Sequence, residues 1–129
     1  MKLTVLKERL DGEPRVAATP DTVKRFVGLG LDVVIEAGAG LASGVLDEGY
    51  VAAGGRIASS AQEAAQDADI VLKVRAPTRD ELALLKRGAL LIGLLNPYAE
   101  REMIPAYASA GVMAFAMELL PRISRAQSM

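Results

Sequence analysis

The side chains best suited to chemistry sit in three places. Near the C-terminal end, Glu118-Leu119-Leu120-Pro121 leads into Arg122-Ile123-Ser124-Arg125-Ala126-Gln127-Ser128-Met129, where guanidinium, hydroxyl and amide donors gather behind a proline. Such donors suit phosphate or carboxamide groups, and arginine can grip two oxygens at once. Earlier, Arg15 and Lys73 supply a forked and a point cation that could pair both oxygens of a carboxylate. Between them, Asn96-Pro97-Tyr98 follows the most apolar run of the chain, yet asparagine cannot exchange a proton near neutral pH. On spacing alone, Arg122 and Arg125 read equally well as solvated charges pairing with Glu118, and Arg15 and Lys73 as structural or docking charges.

Those residues must be positioned by elements that the pattern makes legible. Apolar strand-like runs at Lys2–Leu6, Leu31–Ala37, Arg56–Ala58, Ala68–Val74, Ala89–Leu95 and Val112–Met117 alternate with helical spacing. Thr19-Pro20-Asp21 starts a helix with a capping hydroxyl, a proline and an acid, and Val23, Phe26 and Val27 form its apolar face before Gly28 and Gly30 end it. A short helix is expected over Asp47–Ala53. Others follow from a Ser59 or Ser60 cap through Ala61–Asp67, from Thr78 through Leu82 and Leu85, and over Arg101–Ala110 with Ile104, Tyr107 and Ala108 on one face. Pro105 requires that only about the first turn of that last helix precede it.

This alternation predicts an α/β domain with an open parallel sheet covered by helices on both faces, Rossmann-like or flavodoxin-like. In such sheets ligands sit beyond the carboxyl ends of strands, which is where Lys7–Arg15, Lys73-Val74-Arg75, Asn96-Pro97-Tyr98 and Pro121–Gln127 fall. Gly38-Ala39-Gly40-Leu41-Ala42-Ser43-Gly44 suggests a dinucleotide fingerprint but follows the second strand and has Ser43 where the third glycine belongs. It reads as a structural turn in preference to a ligand contact.

Composition narrows the field. At 129 residues the chain is long enough for one well-cored domain, and 51% apolar with 4% aromatic residues means a core of Ala, Val, Leu and Ile. A net charge of −1 argues against nucleic-acid binding. With no cysteine there is no disulfide or thiolate, and with no histidine the commonest metal ligand and general base is missing, so no metal site is expected. The longest apolar run, Ala89–Leu95, falls well short of the roughly 20 residues of a membrane helix, and the N-terminus lacks a signal-peptide core. Direct membrane insertion is not expected, and a cytoplasmic location is.

Arg122-Ile123-Ser124-Arg125-Ala126-Gln127-Ser128-Met129, with Arg15-Val16-Ala17-Ala18-Thr19-Pro20, resembles the NAD(H)-binding alpha component of proton-translocating nicotinamide nucleotide transhydrogenases, a family similar in turn to alanine dehydrogenases. The resemblance covers all 129 residues and implies the first domain of a two-domain subunit, with the NAD-binding Rossmann domain downstream and absent here. It implies hydride transfer from NADH to NADP+ coupled to proton movement, with NAD(H) on this subunit and NADP(H) on a partner component. It also implies membrane-spanning partner subunits, a homodimer, and a position peripheral to a bacterial inner membrane. In the family, Arg122 would help hold the dihydronicotinamide end of NADH, and Ile123 and Ser124 would contribute backbone contacts. Gln127 would reach toward the nucleotide on the partner, and an aspartate of the same loop would follow Met129.

In the similar alanine dehydrogenases, the positions of Arg15 and Lys73 hold an oxo-acid carboxylate, and a histidine after the fifth strand donates the proton. Here Asn96 follows that strand, and no histidine exists anywhere. Hydride transfer between two nicotinamides needs no such proton donor, only binding, orientation and approach. The competing readings are an alanine-dehydrogenase-like enzyme and a non-enzymatic α/β module. The receiver-like version of the latter lacks its acids, since Lys7-Glu8-Arg9 follows the first strand.

Overall fold

A computed structural model describes residues 1–97 and 100–119. The chain runs β1 (Lys2–Val5), α1 (Pro20–Gly28), β2 (Asp32–Glu36), α2 (Asp47–Ala52), β3 (Arg56–Ala58) and α3 (Ala61–Ala65). It continues through β4 (Ile70–Arg75), α4 (Arg79–Ala83), β5 (Leu90–Leu94), α5 (Met103–Ala110) and β6 (Met113–Ala116). All six strands are parallel, in the order β3-β2-β1-β4-β5-β6. That is the Rossmann order of the two offered by the sequence pattern, and it puts the topological switch point between β1 and β4.

The caps form as the sequence requires. Thr19 Oγ1 accepts from Thr22 N, Ser60 from Glu63 N, and Thr78 and Glu81 form a reciprocal capping box. Most strands are a residue or two shorter than the apolar runs that announce them, because the outer apolar residues pack in the connections. Asp67 turns left-handed at φ 57 and stops α3 at Ala65. In α5 the buried residues are Met103 and Tyr107, whereas Ile104, expected on the inner face, is half exposed; the helix begins at Met103, not Arg101, and its inner face lies a residue away from the one expected.

Two apolar layers sandwich the sheet. On one face α1 and α2 pack on Leu3, Val5, Val33 and Ile35, with Tyr50 at the centre. On the other, α3, α4 and α5 pack on Val34, Val71 and Leu91. The division follows from handedness: the crossovers β1 to β2 and β2 to β3 step one way, and every later crossover steps the other way. Helices thus lie on both faces as expected, but unevenly.

The loop Gly38–Gly44 is a structural turn. Tyr50 is wholly buried and its Oη donates to the Ala18 carbonyl at 2.8 Å. A Cβ on Gly40 would lie 2.8 Å from the Val45 Cβ and 2.9 Å from the Tyr50 ring, so the loop is glycine-rich in order to wrap this side chain. Gly38 N–H donates to Asp47 Oδ1 at 2.9 Å, tying the loop to the start of α2.

A second close approach shapes the site. The β4–β5 register shifts between Leu72 and Arg75, and at this irregularity a Cβ on Gly93 would lie 2.2 Å from the Lys73 carbonyl oxygen. A methyl group cannot be accommodated without moving one strand. Gly93→Ala is therefore expected to destabilise the domain by roughly 3 kcal/mol or more, read as a lower midpoint in urea unfolding; an unchanged midpoint would show that β4 and β5 can separate freely here.

Candidate functional site

The candidate site is the carboxyl edge of the sheet around the β1/β4 switch point. β1 ends at Val5 and the chain continues as a polar loop whose Glu8 folds back over β4. The Glu8 carboxylate accepts from the backbone N–H groups of Val74 at 2.7 Å and Arg75 at 3.0 Å, taking the place of strand partners that β1 is too short to supply. It also lies 3.3 Å from the Lys73 ammonium.

Lys73 is buried, its side chain 2% exposed. Besides Glu8, it faces Glu81 Oε2 and the Lys7 carbonyl, each at 3.5 Å. Glu81 in turn accepts from Arg9 Nη1 at 3.0 Å, while its other oxygen closes the capping box on Thr78 N at 2.9 Å. Arg9 grips both oxygens of the buried Glu36, which also accepts from Lys7 N at 3.0 Å. The Arg9 guanidinium is held above its ordinary range mainly by its hydrogen bond to Glu36, with the Glu81 charge adding to the effect. One ionic chain thus runs from β2 through the β1 loop to β4 and the first turn of α4.

Arg15 lies farther out. Its Nε and Nη2 form a fork on the two oxygens of Glu13, each at 2.8 Å, and Arg75 Nε reaches Glu13 Oε1 at 2.9 Å. The Glu13 carboxyl is pushed down to about 2, first by its hydrogen bonds to Arg15. Arg15 and Lys73 do border one cleft of about 440 Å³, walled by Leu72, Ile92, Leu94 and Met117. The structure thus brings these two sequence candidates to one place, with both cations already engaged by carboxylates of the same chain.

Asn96 follows β5 in a left-handed conformation at φ 48, one that asparagine tolerates better than most residues. Its N–H and that of Leu95 donate to the two oxygens of Glu118 at 2.6 and 3.2 Å. The turn after β5 is therefore tied to the segment that leaves β6. Arg122, Ile123, Ser124, Arg125 and Gln127 lie outside the described residues, as does Tyr98. Glu8, Glu13 and Glu118 do not stand out in the sequence. Their signal is position alone, acids just beyond strand ends, which does not distinguish a clamp from a solvated charge.

The switch point does not suit a dinucleotide pyrophosphate. Where a nucleotide-binding fold has a glycine-rich turn after the first strand, this chain has Glu8, Arg9 and Glu13, and the carboxylates would repel phosphate. Among the described residues, no three His, Cys, Asp or Glu side chains are grouped to hold a metal ion, and no helix is long and apolar enough to cross a membrane.

Two results are expected from this geometry. Lys73→Met leaves Glu8 and Glu81 buried without their shared cation and costs roughly 3–5 kcal/mol in chemical denaturation; a loss near zero would mean water already screens the cluster. Because the Glu13 carboxyl is held low in the folded chain, its stabilising contribution is complete above its ordinary value of 4.5 and fades as pH falls toward 2. Glu13→Gln should therefore weaken the domain at neutral pH and converge on the wild type in acid, as read by stability against pH.

The sequence profile of the alanine dehydrogenase/PNT N-terminal domain matches residues 4–129. An NAD(P) transhydrogenase subunit alpha from Rhodospirillum rubrum is 46% identical over 134 aligned residues, covering 100% of this chain and 35% of that protein. The crystal structure of transhydrogenase from Sinorhizobium meliloti superposes with a TM-score of 0.93 at 46% identity, covering 100% of this chain and 38% of that one. A solved L-alanine dehydrogenase gives 0.85 at 34% identity, covering 90% and 32%. The chain spans about a third of the length of the first curated relatives it matches. With a profile match along nearly its whole length and transhydrogenase and alanine dehydrogenase relatives on either side, the chain belongs to the alanine dehydrogenase/PNT N-terminal domain family.

Proposed function

We propose that this chain is the first domain of the NAD(H)-binding subunit of a proton-translocating NAD(P)+ transhydrogenase, which passes hydride from NADH to NADP+. The observation that carries the reading is the match of the whole chain, at 46% identity, to a protein named as a transhydrogenase alpha subunit. Alanine dehydrogenase relatives match at 38% or less, and the chemistry separates the two classes. Reduction of an oxo acid or its imine needs a proton as well as a hydride, and Asn96 stands where a proton donor would be required. Hydride transfer between nicotinamides needs only two rings held in contact.

In this reading the domain does not hold the pyrophosphate, whose place is a downstream dinucleotide-binding domain of the same subunit. Its contribution is the loop Arg122–Gln127 that follows β6. Arg122, with the backbone of Ile123 and Ser124, holds the dihydronicotinamide end of NADH, and Gln127 reaches toward NADP(H) on the partner component. NADH, when bound, supplies the hydride; the loop orients the ring and excludes water around it. Glu118 ties the root of that loop to the turn after β5. Arg15 and Lys73 act as structural charges. The subunit works as a homodimer docked on membrane-spanning partners, peripheral to a bacterial inner membrane, and proton movement belongs to those partners.

The alternative, an alanine-dehydrogenase-like enzyme using Arg15 and Lys73 for an oxo-acid carboxylate, is favoured by the shared cleft that both residues border. It predicts pyruvate-dependent NADH oxidation by the full-length protein. The transhydrogenase reading predicts none. It predicts instead that Arg122→Ala in the assembled enzyme slows NADH-driven reduction of an NADP+ analogue on the order of 100-fold, with an unchanged melting temperature; an undiminished rate would remove the loop from the site. The 129 residues alone should not reach sub-millimolar affinity for NADH, as read by fluorescence titration.

A further inference from the structure

Half of one sheet face has no cover among the described residues. Parallel pairing aligns Ile70 with Leu90 and Met113, and Leu72 with Ile92 and Phe115, so these six apolar side chains share the face on which α1 and α2 lie. Those helices cover β1, β2 and β3. All later crossovers lie on the opposite face, so the β4-β5-β6 half receives no helix from its own connections. Met113 is 67% exposed and Phe115 44%, whereas Val33 and Ile35, the equivalent positions under α1 and α2, are essentially closed to water.

Parallel sheets are ordinarily buried on both faces. We infer that this face is the seat of an amphipathic helix contributed by the same polypeptide from outside residues 1–129. Shape supports a helix: the outer strands of the trio stand about 10 Å apart, close to the roughly 10–12 Å diameter of one helix. The five residues of β5 extend about 16 Å, room for about ten or eleven helical residues. The surface is also a groove and not a plane, because Val16 and Ala17 rise beside Leu72 as one wall of the 440 Å³ cleft. A second copy would set groove against groove and leave the centre unfilled.

The length of the relatives supports the same polypeptide as the source. This chain covers 38% of the solved transhydrogenase chain and 32% of the solved alanine dehydrogenase chain, and both keep this fold. A cover common to two enzyme classes that differ in their partners is best supplied from the length that both carry beyond this match. The inference rests on the sheet and its topology, not on the hydride-transfer reading, and it stands if that reading fails.

The test places a benzophenone amino acid at Phe115 in the natural full-length subunit and maps the photo-cross-link by mass spectrometry. An intrachain link to a segment outside residues 1–129 is the expected result. A link to a second copy, a link to another component, solvent adducts only, or a natural product no longer than these 129 residues would each overturn it. Met113→Lys in the same full-length subunit supplies an independent readout: a lower melting temperature with unchanged oligomeric mass is expected. Loss of the oligomer, or an unchanged melting temperature, would contradict a helix seated there.

Discussion

Everything at the carboxyl edge of this sheet depends on one buried ammonium. Lys73 sits between Glu8 and Glu81, and those carboxylates do further work that the lysine permits. Glu8 finishes the hydrogen bonding of β4 where β1 runs out, and Glu81 caps α4 and shares Arg9 with Glu36. Burying three acids in one region is tolerable only because each oxygen has a donor or a cation to face. The pairs tie β1, β2, β4 and α4 together at the switch point, where a nucleotide-binding fold would instead leave a crevice for its ligand. A Rossmann strand order is thus combined with a switch point that the chain fills with its own charges.

The same economy explains the glycines. Gly93 lets the Lys73 carbonyl approach at the irregularity in β4, and that irregularity is where Val74 and Arg75 turn their N–H groups to Glu8. Gly40 makes room for Tyr50, one of only three tyrosines in a chain poor in aromatic residues. In both cases the glycine serves packing, and a fingerprint reading of the Gly38–Gly44 loop would have assigned it to a ligand. What the carboxyl edge leaves for chemistry is the segment beyond β6, whose root Glu118 fixes against the turn at Asn96.

The fold was legible because its signals are local. Apolar runs of four to seven residues, the caps at Thr19, Ser60 and Thr78, and the prolines and glycines at element ends all act within a few residues. Strand order beyond the alternation, and with it the choice of the Rossmann order, depends on which strands pair across long separations, which periodicity does not record. The candidate site was legible in part. Arg15 and Lys73 stood out as cations beside strand ends, but their partners Glu8, Glu13 and Glu81 looked like ordinary surface acids, because burial of a charge is a tertiary fact. Ile104 was misplaced for a related reason: where α5 begins, and which of its residues meet the sheet, is set by packing, and that packing selects Met103 and Tyr107.

The central claim is that this domain serves direct hydride transfer between two nicotinamides with no proton exchanged at the reacting carbon, and isotope tracing tests it most directly. The full-length subunit, assembled with its NADP(H)-binding partner, would be given NADH carrying deuterium at the transferred position of the ring, in ordinary water. The account predicts that the deuterium appears on the ring of NADPH without dilution by solvent hydrogen. Label washed into water, or found instead on alanine when pyruvate and ammonia are supplied, would contradict it.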